Sequence, residues 1–267
     1  MFEICEKFGK EYDVLYNADK TFCVFFNGMR QKREDPPVLF LNGSPLKWRT
    51  QGKHLGNIIS WNLSEEAEIK YKKGNFIGRV NSLVANFKGT GRNVLSTVFR
   101  AQCCHFYGSQ AWDLSSKYID NFDVAWRKAV RKLWYVPNIT RSKILPHLVN
   151  MNTVHEQAAS RFVKMYNNVM KVHNRKLYLL FNISVKDNVP GIVGGNVNII
   201  RQRSGCSPEH LVYKNHCTVN EEHISRAEAI RDLTMQLEGI ADIDIFDRDI
   251  HDTDNEIKML HDYIACY

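Results

Sequence analysis

Residues 107–134, YGSQAWDLSSKYIDNFDVAWRKAVRKLW, place an apolar stripe and four basic residues on one predicted helix. At about 100° per residue, Ile119, Phe122, Trp126, Ala129, Val130 and Leu133 gather on one side. Arg127, Lys128, Arg131 and Lys132 fall on the other. Such a helix must pack on one side and stay wet on the other, which commits the neighbouring chain to a helical core. Its outer face meets either solvent or a polyanion.

The rest of the chain changes period along its length. Phe2, Cys5 and Phe8 have helical spacing, and Gly9 marks an expected helix end. The β-branched and aromatic run 21–26 predicts a buried strand. Asn42-Gly43, between residues 38–41 and 45–48, predicts a hairpin, and residues 55–60 a further strand. RQKREDPP, residues 30–37, predicts a loop. From Leu63 the pattern turns helical: Ser64 is a cap, and Ile69, Phe76, Val80, Leu83 and Phe87 share a face. Helices are expected over 91–106, 116–134, 161–181 and 219–237, with PGIVGGNVN, residues 190–198, as a linker.

Residues 107–134 resemble the thumb segment of reverse transcriptases encoded by non-LTR (LINE-type) retrotransposons. In that family a YG turn, a Trp, a Ser-rich loop and a helix ending in basic and aromatic residues occur in this order. FGKEYDVLYNADKTFCVFF (8–26), LFLNGSPLKW (39–48) and KHLGNIIS (53–60) resemble the last palm elements of the same enzymes. The likeness covers about residues 1–150 and fades beyond them.

The resemblance implies roles for particular residues. Asn17 followed by Lys20 and Thr21 is similar to a motif whose lysine lies near the leaving pyrophosphate, where a cation stabilises developing charge or donates a proton. His54-Leu55-Gly56 resembles the primer-grip turn, in which glycine lets the backbone approach primer phosphates. Arg127, Lys128, Arg131 and Lys132 would follow the backbone of an RNA/DNA template–primer, through contacts that carry affinity but little sequence information. Lys70, Lys72, Lys73, Arg79, Lys88 and Arg92 lie in the same expected bundle. Without the family, Lys20 reads as a surface charge, Gly56 as a bend and the basic helix face as a solvated one.

Polymerases of this kind use two divalent metals, Mg in the parent enzyme, held by converging carboxylates. In the family these belong to an earlier motif and to an aromatic-x-Asp-Asp hairpin upstream of the elements matched here. Tyr16-Asn17-Ala18-Asp19 carries a single carboxylate and falls in the following motif. The expectation is therefore a truncated, catalytically incomplete fragment that binds template–primer, with no catalytic residue and no cofactor of its own. The alternative is an inert or protein-interacting fragment. The expected fold is α+β. It comprises a small antiparallel palm-remnant sheet (1–62), a thumb-like helical bundle (63–189), and a Gly-rich linker with an acidic helical tail (190–267).

Charge distribution supports a polyanion partner for the earlier part. Residues 221–267 hold 13 acids and 4 bases, while residues 1–220 hold 32 bases and 16 acids. No apolar run is long enough for a membrane span and MFEICEKFGK has no signal-peptide character, so a soluble intracellular protein is expected. Cys5, Cys23, Cys103, Cys104, Cys206, Cys217 and Cys266 are an odd number without framework spacing, which predicts reduced thiols.

Cys103-Cys104-His105 and the run Cys206, His210, His216, Cys217 invite a zinc reading. Adjacent cysteines on a helix diverge by about 100°, and C-x3-H-x5-H-C is not a usual ligand spacing, so a small buried thiol with surface histidines fits better. Trp126 reads as core, while Trp112 and Trp134, with Phe106 and Tyr118, stand open between core and base-stacking platform. No Ser-His-Asp signature, phosphate-binding glycine loop or small-molecule site is evident in the motifs.

Overall fold

The computed structural model describes residues 2–26, 37–171, 175–186 and 191–205. Most of the loop expected at 30–37, the helix expected at 219–237, the acidic tail and the Cys206–Cys217 run lie outside the described residues. What is described is α+β and falls into two compact units, divided between Tyr71 and Lys72. The division lies inside a helix.

The first unit begins with α1, Phe2–Tyr12. Gly9 does not end this helix. Asp13 takes a left-handed φ of 54° and the chain folds back, so that the Val14 amide donates to the Gly9 carbonyl at 2.9 Å. A Cβ on Gly9 would come within 2.5 Å of the Val14 oxygen, so glycine is required by this close return. Three two-stranded ladders follow, and two are antiparallel. The third, β1 (Phe22–Cys23) with β4 (Lys47–Trp48), is parallel. The strand expected over 21–26 thus shrinks to two residues, and Phe25 and Phe26 are exposed.

β2 (Phe40–Leu41) and β3 (Ser44–Pro45) flank the expected hairpin turn, with Asn42 and Gly43 both at positive φ. That pairing of signs is what a right-twisted two-residue hairpin requires. A second hairpin joins β5 (Gln51–His54) to β6 (Asn57–Ser60) through Leu55 and Gly56, also both at positive φ. Only β6 was legible from apolar content. β5, QGKH, is polar, and its Gly52 is buried because the Phe22 ring occupies the space a Cβ would need.

Helix α2, Glu66–Asn86, starts where Ser64 Oγ accepts from the Glu66 amide, as the sequence predicts. The second unit continues with α3 (Arg92–Val98), which runs into a π-helical turn at Phe99–Cys103. Next come α4 (Lys117–Trp134) and the short α5 (Leu145–Leu148). α4 follows the expected range and apolar stripe: the six stripe residues are buried, together with Trp134, and Ser116 caps the helix.

Phe122 on α4 is the hub of an aromatic core. Its ring centroid lies 5.4 Å from Phe76, 5.2 Å from Phe106 and 6.3 Å from Trp112, in tilted or edge-on arrangements that suit the ring quadrupoles. Trp112, Trp126, Trp134 and Phe106 are all buried, so none is a stacking platform. The Trp134 indole donates to Ser96 Oγ at 3.1 Å.

The single helix expected over 161–181 is two helices, α6 (Val154–Lys171) and α7 (Arg175–Lys186). α6 starts earlier because Thr153 and Glu156 form a reciprocal capping box. The Thr153 amide donates to Glu156 Oε2 at 2.8 Å, and the Glu156 amide to Thr153 Oγ1 at 3.3 Å. The stretch read as a linker instead forms α8, Ile192–Ser204. Asn196, fully buried, accepts from the Leu114 amide and donates to the Trp112 carbonyl, both at 2.8 Å. These bonds, with buried Val197 and Ile200, hold the helix to its unit despite Gly194 and Gly195.

Candidate nucleic-acid interface

In the first unit Lys20 ends a single 3-10 turn, Ala18–Lys20. Asn17 Oδ1 accepts from the Lys20 amide at 3.1 Å, and Thr21 Oγ1 donates to the Asn17 carbonyl at 2.7 Å. The Asn, Lys and Thr of the motif therefore share one turn: the outer two brace the backbone and leave the exposed Lys20 side chain projecting. Asn42 of the first hairpin secures the same segment, its Nδ2 donating to the Tyr16 carbonyl at 2.9 Å.

His54, Leu55 and Gly56 form the exposed tip of the β5–β6 hairpin. Leu55 is 76% exposed and held at φ 47°, a conformation that costs an L-residue energy and gives this one no burial in return. Lys53 beside it donates to the Tyr71 hydroxyl at 2.9 Å, with its ammonium 5.0 Å from the ring centroid. Phe22, two residues after Lys20, packs against Gly52, two residues before His54, and carries the Arg49 guanidinium 5.4 Å from its ring centroid. The lysine turn and the hairpin are thereby tied to one another.

The four basic residues of α4 divide into two pairs. Arg131 turns back, donating to the Thr140 carbonyl at 2.8 Å and to Ser142 Oγ at 3.2 Å. Burial, with the neighbouring Arg127 charge, lowers its pKa from the ordinary value. Arg127 is half-buried and its charge acts on Asp123, one turn earlier. Lys128 and Lys132 are exposed, and among the described residues Lys132 Nζ reaches only Asn81 Oδ1, at 3.0 Å. Sequence spacing placed all four outward; Arg131 instead folds toward polar groups at the edge of the core, and Arg127 is half-buried. Elsewhere in this unit Arg79 is committed to the Gln102 carbonyl and Arg92 is buried.

Among the described residues no three His, Cys, Asp or Glu side chains converge as a metal-holding group. The described donors therefore do not fit the magnesium pair of a polymerase. Cys103 and Cys104 are buried on the π-helical turn and its end. Burial pushes the Cys103 thiol up to about 11 and raises Cys104 further. No described helix is long and apolar enough to cross a membrane.

No family model matches the chain, and no solved structure matches it. Over 115 residues, 41% of the chain, it is 26% identical to the protein named "Retrovirus-related Pol polyprotein from type-1 retrotransposable element R1" of Bradysia coprophila. The matched stretch spans 11% of that polyprotein's length. This similarity supports a retrotransposon-related origin for the chain.

Proposed function

We propose that the chain is a reverse-transcriptase-related fragment that binds an RNA/DNA template–primer and does not itself carry out polymerisation. The observation that carries the reading is the outward pair Lys128 and Lys132 on α4, a helix whose opposite face is wholly core. In the first unit, Lys20 and the His54-Leu55-Gly56 tip supply a second set of contacts, for which the strained and exposed backbone at Leu55 is the support. The similarity to a retrotransposon Pol polyprotein supports the nature of the ligand. The test is titration of the full chain against a labelled RNA–DNA duplex in rising salt, with a nucleotide-incorporation assay in magnesium and in manganese. Steeply salt-dependent binding without incorporation is expected. Salt-independent binding, or templated incorporation lost in Asp19→Ala, would reject the reading.

A second reading has its own observation. Ile4, Leu15, Val38 and Phe40 of the first unit are exposed, and among the described residues each of its ladders has two strands. Unpaired edges beside apolar side chains suit a protein partner. Self-association or co-folding with a partner chain, without duplex binding, is the outcome that would favour it.

A further inference from the structure

A groove of about 520 Å³ opens in the second unit, lined among others by Tyr107, Gln110, Arg161, Lys164, Asn168 and Leu177. None of the residues assigned above to template–primer contact takes part in it. Arg161, Lys164 and Asn168 follow one another at i, i+3 and i+7 on α6, all three exposed, while Phe162, Val163, Tyr166 and Asn167 of the same helix are buried. No described acid forms an ion pair with Arg161 or Lys164.

Tyr107 differs from the other aromatics of its segment. Phe106 and Trp112 are core, whereas Tyr107 is 55% exposed, set at the turn made by Gly108 with φ 90°. The Lys72 ammonium lies 5.8 Å from its ring centroid. The groove therefore combines an exposed aromatic ring, two lining cations and two side-chain amides, with a third cation, Lys72, over the ring.

We propose that this groove binds single-stranded nucleic acid, with a base stacked on Tyr107 and adjacent phosphates on Arg161 and Lys164. Gln110 and Asn168 supply donors and acceptors to the base edge or sugar. A stacking ring with flanking cations is the arrangement that serves a strand whose bases are free, because every base has a π-face and every nucleotide a charge. A duplex keeps its base faces covered, and an acidic peptide satisfies the cations without using the ring. The volume is within the range of small-ligand sites and accommodates an unstacked base. The inference rests on the reading that the chain meets nucleic acid, and extends it to an unpaired strand held on a different surface.

The experiment uses the full chain, fluorescent dT and rU oligonucleotides of about 20 residues, and an RNA–DNA duplex, each titrated across a salt series. Tyr107→Leu is expected to weaken oligonucleotide binding roughly tenfold at unchanged salt slope, and Tyr107→Phe to retain it. Arg161→Ala with Lys164→Ala is expected to flatten the log–log slope by about 1.4, from about 0.7 per single-strand phosphate neutralised. Duplex binding should change in none of these variants. All three positions are exposed, so circular dichroism should show the native helix content throughout.

Wild-type oligonucleotide affinity in Tyr107→Leu, or an unaltered slope in the double variant, overturns the proposal. So does a Glu-rich peptide that binds through Arg161 and Lys164 while oligonucleotides do not, which would give the groove to an acidic protein segment. Tyr107-dependent strand binding with no duplex binding would sustain the groove and reject the template–primer reading alone.

Discussion

Asp123 on α4 closes the N-terminus of α6: its Oδ1 accepts from the Val154 amide at 2.8 Å, across 31 positions of sequence. A second, longer bond from the His155 amide reaches the same oxygen at 3.4 Å. Burial raises the Asp123 pKa above its ordinary value, opposed by the Val154 amide, the Arg127 charge and His155. The carboxylate thus joins α4 and α6, two 18-residue helices of the second unit, at a cost in desolvation.

That cost sets a pH dependence. With the folded pKa above the unfolded one, the folded state holds the proton more tightly. The resulting contribution to stability is complete below the unfolded pKa and lost as pH rises through the folded value. Asp123→Asn keeps the acceptor and removes the charge, so its stability relative to wild type should improve as pH rises from about 4 to about 7. Asp123→Ala loses the cap and should cost about 1–2 kcal/mol. Urea denaturation across that range checks both; identical pH dependence in wild type and Asp123→Asn would contradict the assignment.

Asn196 makes a comparable prediction for α8. Its amide satisfies backbone groups at Trp112 and Leu114, and Asn196→Ala leaves both buried groups without those partners, at about 1–3 kcal/mol for each. Hydrogen exchange should then report faster opening in α8 and at the Leu114 amide, with α2 little affected. Unchanged protection of α8 would mean that Val197 and Ile200 alone hold it.

Leu55 separates stability from binding. Replacing it with glycine relieves a left-handed conformation that costs about 1 kcal/mol for an L-residue, so Leu55→Gly should raise the denaturation midpoint. If the hairpin tip meets a primer backbone through Gly56, Leu55→Gly leaves that approach open and should keep duplex affinity, while His54→Ala should weaken it. Wild-type duplex affinity in His54→Ala would take His54 out of the interface.

The features legible in the sequence are those where several local signals agree. In α4 the 3.6-residue period, the Ser116 cap and the terminal basic residues all point the same way, and its boundaries followed. Asn42-Gly43 carried its own turn chemistry. The start of α6 was also written in the chain, as Thr153-x-x-Glu156, but its capping box stands ahead of the stretch whose period was read. By contrast α8 looks like a linker because Gly194 and Gly195 depress helix propensity, and the bonds that fix it reach back 82 and 84 positions.

The candidate site shows the same limit. Spacing put Arg127, Lys128, Arg131 and Lys132 on one face, but it does not say where a long side chain finds a partner. Thr140 and Ser142 claim Arg131 because tertiary contacts place those groups beside α4, whereas Asp123, the neighbour of Arg127, lies one turn earlier on the same helix. Tyr107 and Arg161 are likewise brought to one groove only by the packing of the second unit.

The division of the basic cluster into two exposed lysines, Lys128 and Lys132, and two half-buried arginines, of which Arg131 is bonded back to Thr140 and Ser142, gives the most direct test of the account. Affinity of the full chain for an RNA–DNA duplex should be measured over a salt series for wild type, Lys128→Ala with Lys132→Ala, and Arg131→Ala. The double lysine variant should flatten the log–log slope by about 1.8, about 0.9 for each duplex phosphate no longer neutralised, while keeping wild-type stability. Arg131→Ala should lower the unfolding midpoint and leave the slope nearly as it was. A lysine variant with the wild-type slope, or no binding of the duplex by the wild-type chain, would contradict the claim that this helix faces nucleic acid.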